Sequence, residues 1–460
     1  MTPYQIISLR PDSIVVRIGD AVDKIYLPRD YPEWNERYAS LITSDSTDNL
    51  SYLSEQKGLF NHEVAIVKAL DGLDRKMIPP FLGADNNGLK IRFQYLPHSR
   101  YQDAFIDIWN NEIISEKEKI EKVNSLTQEM VLNVLVPFHN YCNDNMQRLV
   151  RYSRIGGKQK QRVMLKLRNP EDRTNRLSDY VKSIMSRCST ELEQYWNAEG
   201  INPEELTPRE IRTHIGFFRR EKRYNIVHQL AEVEKRDRII TGREAVFVAG
   251  DFGPHNIFRT SKKETIYAFD FDKACRGSRN IDLCHVIYNI HRYPFHPDQE
   301  AQSLNLAAEY FRKVGLGSEV PERVASFVAS GMLEALRFWA IYCQMIPDDI
   351  RKFVGNREPY RKLDNNDLRQ RIIGEMFPQH FRDFFEYYRY RQGEGWEEVL
   401  EKPLLDSAGV SSRESRKNLL ENIRQQTRTI EDILTEMGCL QGKAANQTRA
   451  RKIQRIFTVR

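Results

Sequence analysis

Between Val246 and Asp282, three oxygen-bearing side chains fall where short apolar runs end. Val246 to Ala249 leads into Gly250-Asp251, and Asn256 follows five positions on. Ile257-Phe258 and Ile266 to Phe269 then lead to Asp270, with polar Thr260 to Thr265 forming the hairpin between them. A carboxylate in such a loop can orient a hydroxyl and take its proton. An amide oxygen and a second carboxylate are hard donors suited to magnesium, which keeps much of its water and needs few protein groups. A base and a hard-oxygen metal site together are what phosphoryl transfer from a nucleotide requires. Asp272, two positions past Asp270, is an auxiliary ligand candidate.

The Asp-x-x-x-x-Asn spacing, followed by a hairpin and Asp-Phe, matches the order of groups in protein-kinase catalytic and metal loops. More specifically, GDFGPHNIF, then FDFDKACRG, then IDL resembles the signature of the aminoglycoside phosphotransferase and choline kinase-like enzymes. The likeness extends, more weakly, over much of the chain before residue 290. It implies an α+β, two-lobed, protein-kinase-like fold. Residues 1–97 would form a small antiparallel-sheet lobe and residues 98–400 a larger, mainly helical one. It also implies ATP- and Mg2+-dependent phosphorylation of a small-molecule hydroxyl, in a sugar, amino alcohol, antibiotic or metabolite. By the same resemblance Asp251 is the catalytic base, Asn256 and Asp270 are metal ligands, and Asp282 braces the catalytic loop. His139, at the end of a helix written Val136-Pro137-Phe138-His139, reads as a structural hydrogen-bonding histidine.

The elements that must position these groups begin with strands at Tyr4 to Leu9, Ser13 to Ile18 and Lys24 to Leu27, with turns at Arg10-Pro11-Asp12 and Gly19-Asp20. In the family the third strand usually ends in Leu-Lys, and the lysine reaches the nucleotide phosphates. This chain has Leu27-Pro28-Arg29, so Arg29, one residue late, and Lys24 are the two candidate cations. Arginine is no simple copy of lysine there, because its charge is planar and permanent. Phe60, Val64, Val67 and Leu70 recur at helical spacing within Leu59 to Leu70. Glu63 shares their inward side, where the resemblance places a glutamate paired with the strand cation. Leu89, Ile91, Phe93 and Tyr95 alternate with polar residues, a half-buried strand. It ends at Tyr95-Leu96-Pro97, whose backbone would hold the adenine edge in a kinase-like hinge. A second departure from the family is Ala249-Gly250-Asp251 in place of His-Gly-Asp. His255 is the neighbouring group that could replace the missing prop.

The chain has 460 residues, 40% hydrophobic and 29% charged, with a net charge of +6. That is an ordinary globular composition, and it permits an anionic ligand without identifying one. The six cysteines are scattered with no Cys-x-x-Cys pair, which argues against a disulfide framework or a zinc site and fits a reducing cytosol. No apolar run of about 18 residues suggests a membrane span; the expectation is a cytoplasmic protein. Two segments carry many Lys and Arg and no acid: 151–168, within an insertion at about 140–245, and 443–460, within a charged helical and basic extension from 401. Each reads either as a solvated surface or as a dock for an anionic partner. Apolar Val320 to Met345 reads as a helix; the resemblance makes Glu334, Arg337 and Trp339 substrate-pocket candidates there, the alternative being core and surface of a long helix. Two alternatives stand beside the small-molecule kinase reading: a catalytically weak or inactive binding protein, and a kinase whose acceptor is a protein.

Overall fold

The computed structural model describes residues 4–9, 13–26, 46–72, 77–146, 246–260, 266–293, 296–344 and 360–389, with isolated residues at 350, 351, 354 and 428. The basic segments 151–168 and 443–460, the insertion from 147 to 245 and Arg29 lie outside the described residues.

An antiparallel five-stranded sheet comprises β1 (Tyr4–Leu9), β2 (Ser13–Ile18), β3 (Ala21–Tyr26), β4 (Phe81–Asp85) and β5 (Lys90–Gln94), in the order β1-β2-β3-β5-β4. The third strand starts at Ala21 rather than at Lys24. Gly19 takes φ +60, and the two-residue turn Gly19-Asp20 pairs Ile18 directly with Ala21. Register and the two-residue repeat put Val15, Val22, Lys24, Ile91 and Phe93 on one face. Asp23 faces the other way, where its cross-strand partner Arg92 clasps it with two contacts of 2.7 Å.

The helix expected from residue 59 begins earlier: α1 covers Ser46–Asp71. Apolar spacing marks only the stripe that must be buried, and α1 buries Phe60, Val64, Val67 and Leu70 with Glu63 among them. After β6 (His98–Arg100) come α2 (Tyr101–Asn110) and α3 (Glu116–Glu129). A π-helical turn, Met130–Leu135, then leads into α4 (Val136–Asp144). The helical path from α3 into α4 is interrupted because Pro137 has no N–H for the carbonyl one turn back, and the wider turn accommodates that loss.

The motif region supplies β7 (Val246–Val248), β8 (Ile257–Thr260), β9 (Ile266–Ala268) and β10 (Cys275–Gly277). β6, β8 and β9 form one sheet, and β10 pairs with β7. The chain divides into two compact units, Met1–Phe105 with Leu132–Leu167 and Ala245–Asp282, and Ile106–Val131 with Arg168–Glu244 and Leu283–Arg460. The pairing of β6 with β8 ties the motif strands into the same unit as the N-terminal sheet. Beneath the motif Phe138 of α4 packs on Phe247, Phe252 and Phe271, at centroid distances of 5.8, 4.8 and 6.4 Å.

The second unit is helical among its described residues. After α5 (Asn280–Ile287), which straddles the division, it contains α6 (Pro297–Lys313), α7 (Val320–Gln344), α8 (Asn365–Arg371) and α9 (Phe377–Arg389). Its core stacks Tyr288 on Phe327 at 5.2 Å and Trp339 on Phe377 at 6.0 Å. No described helix is long and apolar enough to cross a membrane.

Candidate active site

Glu63, fully buried on α1, gathers three groups from separate stretches of the first unit. Its Oε2 accepts from Lys24 Nζ at 2.7 Å and from the Tyr26 hydroxyl. Its Oε1 accepts from the backbone N–H of Phe271 at 3.0 Å. Lys24 also donates to Asp270 Oδ1 at 2.5 Å, so one ammonium bridges α1 and the Asp-Phe loop. Burial alone would lower the Lys24 pKa, but Asp270 and Glu63 together hold it well above its ordinary value. Tyr26 is pushed up by burial first and by Glu63 second, so it stays protonated and donates. The cation expected at Arg29 or Lys24 is therefore represented, among the described residues, by Lys24. Strand parity could have favoured it, since Lys24 falls in step with the inward Val22 and Tyr26.

The loop carrying Asp251 closes on itself. Asn256 Nδ2 donates to the Asp251 carbonyl at 2.9 Å, and Gly253 N donates to that same carbonyl at 2.8 Å. Asn256 Oδ1 is thereby left facing away from its own donor. Phe269 N donates to the Asn256 carbonyl at 2.9 Å, which ties this loop to the strand that delivers Asp270. Asp251, Asn256 and Asp270 are all buried. Asp270 takes φ +69, a left-handed conformation that costs free energy for any residue with a Cβ and tends to persist at functional sites.

Asp282 holds the loop from below. Its Oδ2 accepts from Ala249 N at 2.7 Å and its Oδ1 from Gly250 N at 2.8 Å, while His139 Nε2 donates to Oδ2 at 3.0 Å. Burial lowers the His139 pKa more than Asp282 raises it, so the ring is neutral and donates through Nε2. The backbone N–H groups of Ala249 and Gly250 thus anchor the start of the loop to Asp282. His255 Nε2 lies 3.6 Å from Asp251 Oδ1, beyond hydrogen-bond range.

Asp272 Oδ1 is enclosed with no hydrogen-bond partner. Its pKa is pushed up to about 7, by burial first and by the neighbouring Asp270 second. Among the described residues no three His, Cys, Asp or Glu side chains form a metal-binding group. Magnesium needs fewer, however, and takes amide oxygen as well. Asn256 Oδ1, Asp270 and Asp272 are all oxygen donors, and a cation would add to the counter-charge that Lys24 and Lys273 give Asp272. The residues fit a magnesium ion in that respect.

A pocket in this unit is walled by Ser13, Val15, Val22 and Phe93 from the sheet, by Tyr95 and Leu96 after it, and by Lys24, His255, Asn256 and Asp270. The mixture of apolar sheet face and polar end suits a ligand with a flat apolar part and a charged part. Tyr95 is anchored by its N–H to the Asp20 carbonyl at 2.8 Å, and the Arg17 guanidinium sits 3.7 Å over its ring.

Sequence reasoning passed over Lys273, whose Nζ lies 2.6 Å from Asp251 Oδ2. The available signal was its place in Asp270-Phe271-Asp272-Lys273, a cation adjoining a run of carboxylates. In the second unit Glu334 is buried against Arg337 and against His285 Nε2 at 3.1 Å, and Trp339 lies in the aromatic core.

No protein-family model and no curated protein sequence matches this chain. Among solved structures it is similar to a choline/ethanolamine kinase family protein from Mesorhizobium loti, with 11% identity over 92% of both chains and a TM-score of 0.36. It is also similar to an ethanolamine kinase from Plasmodium vivax, with 10% identity over 80% of both chains and a TM-score of 0.37. A third likeness is to spectinomycin phosphotransferase in complex with ADP and spectinomycin, with 9% identity, 80% of this chain and 88% of that one covered, and a TM-score of 0.33. At these identities and TM-scores the likenesses carry no weight for chemistry, which rests on the site itself.

Proposed function

We propose that this chain is an ATP- and magnesium-dependent phosphotransferase of two-lobed kinase type, acting on a hydroxyl of a small molecule. The observation that carries the reading is the buried array in which Glu63 presents Lys24 to Asp270. A buried lysine between two carboxylates, one on a helix and one on a strained loop, is expensive for a fold to keep. It is well placed to meet nucleotide phosphates and their metal.

When bound, magnesium ATP supplies the phosphoryl group: the acceptor oxygen bonds to the γ-phosphorus, the bond to the bridging oxygen breaks, and its electron pair leaves with ADP. Asp251 orients the acceptor hydroxyl and takes its proton, and its Oδ2 lies 2.6 Å from Lys273 Nζ. Asn256 Oδ1, Asp270 and Asp272 are the oxygens that would hold the metal. Lys24, steadied by Glu63, offsets the phosphate charge. Ser13, Val15, Val22 and Phe93 offer an apolar wall to the base, and the backbone at Tyr95 and Leu96 its edge contacts. Asp282 fixes the N–H groups before Asp251, so the loop is preorganised rather than assembled on binding.

The test is thermal unfolding with and without magnesium ATP, on the parent and on Asp270→Asn. A ligand at about a hundredfold its Kd adds roughly 2.7 kcal/mol. A magnesium-dependent rise in Tm that the variant loses is the expected result. No rise at millimolar nucleotide overturns the reading.

A further inference from the structure

Two helices of the second unit turn polar faces toward one cavity. On α3, Glu121, Asn124, Ser125 and Gln128 recur at the i, i+3, i+4, i+7 spacing of a single helix face. On α6, Gln302, Asn305, Leu306 and Glu309 repeat that spacing. A face turned toward a neighbouring helix is ordinarily apolar, because apolar burial holds the pair together. Here every one of these positions except Leu306 is an amide, a hydroxyl or a carboxylate, and they line a cavity of about 280 Å³. Arg292 lines it too and is buried. Its guanidinium is held in place: Nη1 donates to the Ile287 carbonyl at 3.1 Å, and Nη2 to Asn124 Oδ1 at 3.1 Å and to the Gln299 carbonyl at 2.7 Å. Burial lowers its pKa to about 10, with Glu300 acting the other way, so it is charged at neutral pH. No residue lining this cavity belongs to the array around Glu63 and Asp251.

The lining selects by chemistry. Gln128, Gln302 and Asn305 each carry a donor and an acceptor, and the Ser125 hydroxyl is both. Adjacent hydroxyls of a sugar ring, themselves both donors and acceptors, match such groups. The charges point the same way. An anion would meet the carboxylates of Glu121 and Glu309, and a cation would meet the fixed guanidinium of Arg292. Lys313 Nζ, 3.8 Å from Glu309 Oε1, offsets one of those carboxylates. Apolar surface comes from Leu306, and no aromatic ring lines the cavity among the described residues, which disfavours a flat hydrophobic ligand. Small-molecule sites span about 300–1,000 Å³, so this one suits a small ligand. We propose that the cavity is a further binding site, taking a small neutral polyhydroxylated molecule, a monosaccharide or a cyclic polyol. The amides and Ser125 bind ring hydroxyls, Arg292 fixes one end, and Leu306 meets a C–H edge. The site does not depend on the phosphotransferase reading.

The test is calorimetric titration of the full chain with glucose, galactose, mannose and myo-inositol. Saturable heat is the readout, because sugars excluded from a protein surface raise Tm without binding. At least one of these probes is expected to bind the parent. Ser125→Trp fills the cavity from an exposed position and is expected to abolish that heat. Gln302→Leu, also at an exposed position, removes hydrogen-bonding groups alone and is expected to weaken binding about fivefold to tenfold. Asp251→Asn, in the other array, keeps the parent's affinity. No binding of any of the probes at millimolar concentration overturns the proposal. So does binding that survives Ser125→Trp unchanged or is lost in Asp251→Asn, which would assign the sugar to the phosphotransferase site instead. Binding of glutamate or spermidine in place of the sugars, lost in Ser125→Trp, overturns the ligand class.

Discussion

Asp272, half-buried with its Oδ1 enclosed, and Glu334, buried, stand one in each compact unit, and their pKa values move in opposite directions. For both, burial is the largest influence and pushes upward. At Asp272 the adjacent Asp270 adds to that push, Lys24 and Lys273 only partly offset it, and the group ends at about 7. At Glu334 the combined pull of Arg337 and His285 overcomes burial and drives the pKa far below the ordinary value. Burial pushes both the same way, so the opposite directions come from the neighbouring charges. The cluster in the helical unit is finished and serves the fold. The cluster beside Asp251 keeps a carboxylate oxygen without a hydrogen-bond partner, and in the phosphotransferase reading proposed above a magnesium ion would supply further positive charge there.

The strongest way to break this contrast is to remove the cation the first unit does have. Lys24→Met leaves Glu63 and Asp270 buried without it. Turnover is expected to fall at least about a hundredfold, and stability in urea by about 3–5 kcal/mol. Next in size are the isosteric amides, which should act with opposite signs. Glu334→Gln removes the anion from a completed cluster and is expected to cost about 3 kcal/mol at neutral pH. Because the Glu334 pKa is lowered on folding, its contribution is present above the ordinary 4.5 and lost as pH falls, so the variant's acid limb should be flatter than the parent's.

Asp272→Asn relieves an uncompensated carboxylate and is expected to stabilise the metal-free protein by about 2 kcal/mol at pH 8. The Asp272 pKa is raised on folding from an ordinary 3.8 to about 7, so this group makes the parent lose stability as pH rises between those values. The variant should lack that decline in a pH series of unfolding curves, and magnesium should raise its Tm less. If Asp272→Asn destabilises instead, the cluster is complete as it stands and the contrast fails. The smallest effect is a reference outside both clusters. Ser115→Ala removes the capping box that Ser115 and Glu118 form at α3 and should cost about 1 kcal/mol in urea, with parent-like magnesium dependence.

The strands of the N-terminal sheet were legible because alternation and the turn residues coincide, as at Gly19-Asp20. The start of α1 was not. Its first turns are polar, and a helix without a buried stripe leaves no periodic mark. The π turn before Pro137 was hidden for a different reason, since proline signals a break in a hydrogen bond but not which alternative pattern follows. Glu334 and Arg337 could be placed on one side of a helix by spacing. That Glu334 also pairs with His285 depends on a partner 49 positions away.

Sequence alone determined the inner geometry of the loop from Asp251 to Asn256, because the bonds that shape it, Gly253 N and Asn256 Nδ2 to the Asp251 carbonyl, close within five residues. Local turns have few solutions, so spacing and residue type are enough. Tertiary structure decided what surrounds that loop. Lys24 meets Asp270 across 246 residues, Glu63 meets Phe271 across 208, and His139 meets Asp282 across 143. Strand parity can say which way Lys24 points, but which carboxylates wait there is settled only when sheet, helix and loop pack together. Lys273 shows both limits at once: its adjacency to Asp272 is written in the chain, and its contact with Asp251 exists because β10 folds back against β7.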